Sequence, residues 1–368
     1  MSLLPDNLIK QLEARKSQGL YRQLIPESNS IDFCSNDYLG FASSPQIKEI
    51  VQNLNQSIKF GATGSRLISG NSTYTEELEQ KIASFHAAEA ALIFNSGYNA
   101  NMGLLSCIAQ KHDLILFDEL SHASIYDGIR LSFAKHYKFK HNDVVHLKSL
   151  IEKHKDARNI FIVVESVYSM DGDCAALKEI VALLNDRVFL IVDEAHGFGV
   201  FGEHGKGLCQ ELSIEQFCLA RIITYGKALG SHGAAVTGSV ELRNYLINFA
   251  RSFIYTTALP PKSLYAIDAG YQLLTTSSAQ KELKNKINLF KELTCGNVNF
   301  IESTSAIQCI IVEGNEMVER KALSLQKKGF QIKAIKSPTV PKGKERIRIC
   351  LHAFNSDEEI KKLCDNLV

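Results

Sequence analysis

The sequence lacks three features that would place it in a special class of protein. It has no run of about 18 apolar residues, so no membrane-spanning helix is expected. It has no excess of charge, since 41 Lys and Arg oppose 40 Asp and Glu, and neither nucleic acid nor a membrane surface is an expected partner. Its nine cysteines contain no Cys-x-x-Cys pair, which argues against a disulfide framework and a zinc site.

The amino terminus also lacks the charged-then-apolar pattern of a secretory signal peptide. The chain has 368 residues, of which 45% are hydrophobic, and is long enough for one large core and a smaller domain. We therefore expect a cytoplasmic, globular protein with reduced cysteines.

Short apolar runs alternate with amphipathic segments along most of the chain. The runs are rich in Val, Ile and Leu, as expected of strands that are buried on both faces. The clearest amphipathic segment, Thr73–Ala87, opens with Thr73 and Glu76 in the spacing of a capping box. The alternation predicts an α/β fold with a mostly parallel sheet covered by helices. The predicted strands are Ala90–Asn95, Asp113–Phe117, Asn159–Glu165, Val188–Asp193, Arg221–Thr224 and Ala234–Gly238.

The pattern changes near Pro260 and Pro261, where a long helical stretch is followed by shorter predicted strands at Ala306–Val312 and Arg346–Leu351. We predict an N-terminal segment at residues 1–45, a large domain at 46–258 and a smaller C-terminal domain at 259–368.

Two predicted strands are followed by the reactive groups of a pyridoxal 5'-phosphate site. Asp193 ends one strand, and Lys227 follows the strand that ends at Thr224. A lysine amine can form the Schiff base, and an aspartate can keep the pyridine nitrogen protonated. Open α/β sheets bind ligands at the carboxyl ends of their strands. We therefore predict pyridoxal phosphate as cofactor, with catalytic roles for Lys227, Asp193 and His122.

Other segments supply the remaining contacts that such a cofactor needs. His122 offers an imidazole face for the ring, and His196 can reach the phenolic oxygen. The amides of Gly97 and Tyr98 open a helical segment, where a helix dipole favours phosphate. No ligand spacing links the remaining histidines, so no metal is expected, and those at 112, 136 and 141 are interpreted as solvated or packed. The predicted cofactor-binding residues are Gly97, Tyr98, His122, Ser169, Asp193, His196, Thr224 and Lys227.

Two motifs suggest nucleotide binding instead. Gly197–Gly202 has the form G-x-G-x-x-G after a strand, but Asp193 and Glu194 stand directly before it, where phosphates would be repelled. Asp193-Glu-Ala-His196 matches a helicase box, but no phosphate loop of the form G-x-x-x-x-G-K-[ST] accompanies it. A nucleotide-binding or regulatory protein is therefore a minor alternative.

Five segments together resemble the α-oxoamine synthases. They are Phe33–Gly40, Gly61–Gly70, Ser121–Ser124, Asp193–Gly199 and Thr224–Lys227. The resemblance implies a pyridoxal-phosphate transferase of fold type I, with a mostly parallel seven-stranded sheet and a smaller α+β domain. It also implies a homodimer in which Thr256 reaches the cofactor phosphate of the neighbouring subunit.

Further segments, including His141–Asp143 and Ser337–Gly343, resemble the branch of this family that serves biotin biosynthesis. That branch condenses L-alanine with a pimeloyl thioester of coenzyme A or acyl carrier protein and releases carbon dioxide. A sister activity, such as glycine C-acetyltransferase, is the alternative. The acyl-binding arginine of the family aligns with Tyr21 or Arg22 and is assigned to Arg22. The expected substrate-binding residues are Arg22, Asn36, His122, Thr339 and Arg348.

Overall fold

A computed structural model describes residues 3–24, 26, 29–53 and 59–367. Strands account for the following segments of that part of the chain: β1 (Ile31–Asp32), β2 (Ala90–Phe94), β3 (Leu114–Asp118), β4 (Lys135–Phe139), β5 (Ile160–Glu165), β6 (Val188–Asp193), β7 (Cys218–Thr224), β8 (Ala234–Gly238), β9 (Ile307–Ile311), β10 (Phe330–Gln331), β11 (Lys333–Ile335) and β12 (Arg346–Cys350).

The α-helices of the same residues are α1 (Asp6–Ser17), α2 (Pro45–Asn53), α3 (Thr73–Phe85), α4 (Gly97–Ile108), α5 (Ala123–Leu131), α6 (Val144–Lys153), α7 (Leu177–Val181), α8 (Leu208–Glu211), α9 (Val240–Phe249), α10 (Arg251–Ile254), α11 (Pro261–Thr276), α12 (Ala279–Leu293), α13 (Asn315–Lys327) and α14 (Asp357–Leu367). None of these helices is long and apolar enough to cross a membrane.

Contacts divide the chain into two compact units. One comprises residues 1–34 and 310–349, and the other comprises residues 35–309 and 350–368. These units group the chain differently from the predicted segments 1–45, 46–258 and 259–368, of which the first includes positions outside the described residues. Helices α11 and α12 fall in the larger unit, where α11 contacts α2 and α12 contacts α14. The predicted bounds remain a prediction.

The larger unit is built on a seven-stranded sheet in the order β2-β8-β7-β6-β5-β3-β4. Its neighbouring strands run parallel except where β8 pairs antiparallel with β2 and β7. All six strands predicted for this sheet are present, within a few residues of their predicted ends. The predictions omitted β4, because most of its residues are exposed at the sheet edge and it has no buried apolar run.

Two hydrophobic clusters hold helices against this sheet. Ile115 and Phe117 of β3 belong to one cluster, whereas Leu114 and Leu116 belong to the other. Successive side chains of a strand point to opposite faces, so the sheet is buried on both sides. This burial explains the continuous apolar runs of the central strands.

Helix α3 corrects one detail of the sequence interpretation. Its N-cap is Ser72, whose Oγ accepts a hydrogen bond from the Thr75 amide at 3.2 Å, and not Thr73. Thr73 is the first helical residue, so the proposed capping box begins one position too late. Leu78 and Ile82 lie four positions apart on one face of the helix, and both are buried.

The smaller unit contains short strands, and Phe330, Ile347 and Ile349 among them are buried. Strands β1 and β10 form a parallel pair, and β11 pairs antiparallel with β12. The rings of Phe33 and Phe330 pack in a tilted arrangement, with centroids 6.0 Å apart, and add an apolar contact within this unit.

Candidate active site

Polar side chains collect where the parallel strands of the large sheet end. Asp193 is the last residue of β6, Glu165 the last of β5 and Thr224 the last of β7. Asp193 and Glu165 are register partners on adjacent strands, and both are buried. The carboxyl ends of parallel strands are the usual position of a ligand site in such sheets.

Lys227 lies in the turn that connects β7 to β8. The turn is closed by hydrogen bonds from the Gly230 amide to the Lys227 carbonyl and from the Ser231 amide to the Tyr225 carbonyl. The Lys227 side chain is half-buried, and its Nζ lies 2.7 Å from Nε2 of His196. Two residues expected to face the same cofactor are therefore in direct contact.

His196 also contacts a residue that sequence reasoning did not assign. Its Nδ1 lies 2.7 Å from the hydroxyl of Tyr38, which in turn donates to Oδ1 of Asn36 at 3.1 Å. Tyr38 is fully buried. It lies within Phe33–Gly40, one of the segments that carry the family resemblance, and that membership was the only signal available in the sequence.

His122 precedes helix α5 as its N-cap, and its Nδ1 accepts a hydrogen bond from the Ser124 amide at 3.2 Å. The residue stays accessible to solvent, but the protein around the ring removes enough water to lower the pKa of His122. The Lys227 charge acts in the same direction, and the charge of Asp193 opposes it. His122 is therefore neutral at physiological pH.

Glu165 is a second buried carboxylate beside Asp193. Its Oε1 accepts a hydrogen bond from the backbone amide of His122 at 2.6 Å. Burial and the neighbouring charge of Asp193 raise the pKa of Glu165 to about 8, against the opposing influence of Lys227. Sequence reasoning missed Glu165, although an acidic residue that ends an apolar strand, as Asp193 does, was a usable signal.

Helix α4 offers an anion-binding end. Ser96 caps it by accepting from the Asn99 amide, and Gly97 and Tyr98 are its first helical residues. A Cβ atom on Gly97 would lie 2.5 Å from Oγ1 of Thr224, so the absence of a side chain lets the two residues approach. That Thr224 hydroxyl is buried and has no hydrogen-bond partner in the described residues. A phosphate group fits this combination of amides and an unpaired hydroxyl.

Thr256 and Ser169 lie in loops of the same unit. Ser169 follows β5, and Thr256 follows α10, where its Oγ1 accepts from the Asn95 side chain at 3.2 Å. Asn95 directly precedes the Ser96 cap of α4. The smaller unit holds Arg22, Thr339 and Arg348, of which Arg348 is paired with Lys333 in the β11–β12 register.

His141, interpreted from the sequence as solvated or packed, is held by hydrogen bonds to two carboxylates. Its Nδ1 lies 3.0 Å from Asp118 and its Nε2 lies 2.7 Å from Asp173. Burial disfavours the charged imidazole, but the hydrogen bonds to the two carboxylates outweigh it and raise the pKa of His141 to about 10. His141, Asp171 and Asp173 also have potential metal-ligand atoms within 4.8 Å of one another.

The glycine-rich segment after β6 surrounds a carboxylate. Glu194 is fully buried and accepts hydrogen bonds from the amides of Leu208 and Cys209 at 3.1 and 2.7 Å. Gly197 and Gly207 both approach its carboxyl group. A buried negative charge at this point is unsuited to a nucleotide phosphate, which agrees with the rejection of a dinucleotide site.

Residues 28–367 match the family model for class I and II aminotransferases. An 8-amino-7-oxononanoate synthase of Emericella nidulans is 42% identical over 99% of this chain and 95% of its own length. One from Saccharophagus degradans is 37% identical over 99% of this chain and 96% of its own length. The chain belongs to the class I and II aminotransferase family, in its 8-amino-7-oxononanoate synthase branch.

Solved structures of the family have the same fold. An 8-amino-7-oxononanoate synthase from Francisella tularensis has a TM-score of 0.81 and 31% identity, covering 93% of this chain and 97% of that one. A serine palmitoyltransferase from S. paucimobilis has a TM-score of 0.90 and 25% identity, covering 98% of this chain and 96% of that one. The expected fold type I architecture, pyridoxal-phosphate cofactor and acyltransferase class are confirmed.

Proposed function

We propose that this chain condenses L-alanine with a pimeloyl thioester to give 8-amino-7-oxononanoate, carbon dioxide and the free thiol. The observation that carries the proposal is the 42% identity over 99% of the chain to a synthase of that name. Four side chains at the carboxyl ends of β6 and β7 also support it, because each has chemistry that the cofactor requires: Asp193, His196, Thr224 and Lys227.

The residues present fit the cofactor at both ends. The amides of Gly97 and Tyr98 and the hydroxyls of Thr224 and Ser169 would hold its phosphate. Asp193 would face the ring nitrogen, and His122 would cover the ring. When bound, the cofactor supplies an electron-accepting ring that stabilises negative charge on the α-carbon of the amino acid.

Lys227 has two tasks in this proposal. Its Nζ is the amine to which the cofactor aldehyde is joined, and the same atom removes the α-proton of alanine as general base. Within the larger unit, His196 is the neighbour that receives a hydrogen bond from Nζ or donates one to it at 2.7 Å. Tyr38 contacts the opposite nitrogen of His196 and so limits its rotation.

His122 is proposed to act on the substrate as well as the cofactor. A neutral imidazole can donate one hydrogen bond to the thioester carbonyl without adding a positive charge to the site. Asn36, Arg22, Thr339 and Arg348 are proposed to bind the substrates. A guanidinium such as that of Arg348 suits a carboxylate because its two N–H groups match the two oxygens.

We further propose that the enzyme acts as a homodimer with shared sites. Four large apolar side chains lie exposed near the end of α4, and we call them the apolar patch: Leu131, Phe133, Phe249 and Tyr255. They line a common surface cavity, and exposed apolar surface of this kind is typical of a protein interface. Thr256 directly follows Tyr255, so a second copy on the patch would lie close to it.

A substrate panel tests the reaction. Purified enzyme is supplied with alanine, glycine or serine, each with pimeloyl, acetyl or palmitoyl thioester of coenzyme A, and products are identified by mass spectrometry. Alanine with the pimeloyl thioester should exceed every other pair in kcat/KM by at least about tenfold, which corresponds to roughly 1.4 kcal/mol in transition-state binding. Preference for glycine with the acetyl thioester would instead establish the sister activity. Repeating the pimeloyl reaction with acyl carrier protein identifies the carrier.

A further inference from the structure

A chain of hydrogen bonds connects Asp193 to His122 beneath the candidate site. Asn101 of α4 places its Nδ2 2.7 Å from Oδ2 of Asp193 and 3.0 Å from Oγ of Ser124. The Ser124 Oγ lies 2.8 Å from Nδ1 of His122. Asn101 and Ser124 are each only 1% exposed. The four side chains come from α4, α5, β6 and the loop before α5, so only the folded chain brings them together.

The direction of each hydrogen bond follows from the available protons. The carboxylate of Asp193 only accepts, so the Asn101 amide must present its nitrogen and not its oxygen. The second N–H of Asn101 then points to the Ser124 oxygen, which leaves the single hydroxyl proton of Ser124 for His122. The Ser124 amide also donates to the same Nδ1. His122 is therefore held with its ring proton on Nε2.

The Asn101 side chain is oriented at a cost to the fold. Its Oδ1 is buried and has no hydrogen-bond partner in the described residues. An unsatisfied buried carbonyl is unfavourable, so packing alone gives no reason to place an amide here. An apolar residue of similar volume would lack the two N–H groups, so these donors are the reason for an amide at position 101.

Asn101 is also one of the hydrogen-bond donors to Asp193, which lies beside a second buried carboxyl group, that of Glu165. Asp193 receives N–H donors on both oxygens, from Asn101 and from the Ala195 amide at 2.9 Å. Its register partner Glu165 receives the His122 amide and has a pKa raised to about 8, first by burial and then by the charge of Asp193. Burial therefore favours the protonated form of Glu165, whereas the N–H donors around Asp193 suit a side chain that accepts hydrogen bonds.

We propose that Asn101 and Ser124 are positioning residues that hold the Asp193 carboxylate in place as a hydrogen-bond acceptor and keep His122 in the form protonated on Nε2. In this form Asp193 can hold the ring nitrogen of the cofactor, and His122 presents its only N–H group from Nε2. The inference rests on the proposed function, because it assumes that Asp193 and His122 face the cofactor.

The first test observes His122 directly and needs neither cofactor nor substrate. Cofactor-free protein labelled with ¹⁵N-histidine is examined by two-bond ¹H–¹⁵N NMR at neutral pH, and the His122 signals are assigned by their loss in His122→Gln. Wild-type protein should show Nε2 protonated and Nδ1 unprotonated. A wild-type His122 protonated on Nδ1 overturns the proposal without depending on the folding of any variant.

Asn101→Asp tests the direction of the chain of hydrogen bonds. The new carboxylate accepts where the amide donated, so it draws the Ser124 hydroxyl proton away from His122 and repels the charge of Asp193. The Nδ1 signal of His122 should shift toward the protonated form relative to wild type. The matched control is Ser132→Ala, which removes another hydroxyl next to α5, one that bonds only the Ile129 carbonyl. Unchanged His122 signals in folded Asn101→Asp would overturn the proposal.

Asn101→Leu separates positioning from packing. The leucine removes both N–H donors and also the unsatisfied oxygen, so the melting temperature should stay the same or rise. The dissociation constant of the cofactor should increase about tenfold, which is the loss expected for one hydrogen bond to a charged group. With saturating cofactor, kcat should fall and the KM for alanine should change little. Cofactor affinity and kcat equal to those of Ser132→Ala would show that Asn101 has no positioning role. Failure of the proposed function would look different from failure of this inference. In that case the wild-type enzyme would show the expected His122 form but would make no pimeloyl-derived product.

Discussion

The hydroxyl of Tyr38 lies 2.7 Å from Nδ1 of His196, on the side of the ring opposite Lys227. Tyr38 also donates a hydrogen bond to Asn36, so its hydroxyl is held in place beside the histidine that contacts Lys227. The relationship links a loop before α2 to the ends of β6 and β7.

Tyr38→Phe is expected to impair turnover without abolishing it. The ring remains in its buried site, but His196 loses a buried hydrogen bond, which costs about 1–3 kcal/mol when a partner is left behind. We expect kcat to fall by roughly tenfold. Steady-state kinetics check this result, with Tyr137→Phe on the exposed edge strand as control. Full activity in Tyr38→Phe would show that Tyr38 does not position His196.

Lys227→Ala is expected to abolish the synthase reaction. The substitution removes both the amine proposed to bond the cofactor and the proposed general base, and loss of a general base alone costs about 10²–10⁴ in rate. Cofactor affinity should decline less, because the phosphate contacts remain. Absorbance spectra before and after borohydride treatment, together with peptide mapping, locate the covalent link. Turnover at the wild-type rate would exclude Lys227 as the amine that bonds the cofactor. Lys178→Ala on α7 serves as the control.

Asp193→Asn tests the carboxylate that is proposed to face the ring nitrogen of the cofactor. The amide keeps the size of the side chain and removes its charge, so the main loss should be in kcat, by roughly a hundredfold or more, as for other preorganised charged groups. The measurement is single-turnover kinetics at saturating cofactor, with the exposed Asp186→Asn as control. A variant that loses only cofactor affinity and keeps its single-turnover rate would contradict the proposed role.

His141 predicts a pH-dependent contribution to stability. Its folded pKa of about 10 lies above the ordinary value of 6.5, so the contribution is complete below the ordinary value and is lost as pH rises toward 10. His141→Gln should lower the free energy of unfolding by about 1–3 kcal/mol at pH 6. The difference from wild type should shrink between pH 7 and 10.

Urea unfolding at several pH values measures this difference. His136→Gln, on the exposed face of β4, is the control because the replaced ring has no carboxylate partner in the described hydrogen bonds. A difference between wild type and His141→Gln that stays constant up to pH 10 would contradict the ion pairs as the source of stability.

Shared sites predict complementation between two inactive variants. Lys227→Ala and Thr256→Glu are each expected to be inactive, the second because a carboxylate would repel the phosphate of the neighbouring subunit. In a mixed dimer one site carries both lesions and the other carries neither, so activity should return on mixing. Subunit exchange is verified by mass spectrometry of tagged chains. Exchange without any recovered activity would contradict the sharing of sites through Thr256.

Much of the large sheet could be predicted from local sequence. Central strands such as β5 and β6 are continuous apolar runs because helices cover both faces, and this pattern is visible without the structure. The edge strand β4 was missed because its exposed residues carry no such pattern. The cap of α3 was placed one residue late because Ser72 and Thr73 are both good capping residues, and only the backbone conformation distinguishes them.

The sequence by itself determined the chemistry of this protein: a lysine and an aspartate after buried strands, a glycine that opens a helix, and segments shared with a known family. Only the tertiary structure decided how those groups are held. Asn101 contacts Asp193 across 92 positions of sequence, and Tyr38 contacts His196 across 158. Strands and helix ends arise from local patterns of burial and backbone preference, whereas a hydrogen bond between distant side chains requires the packed positions of several elements at once.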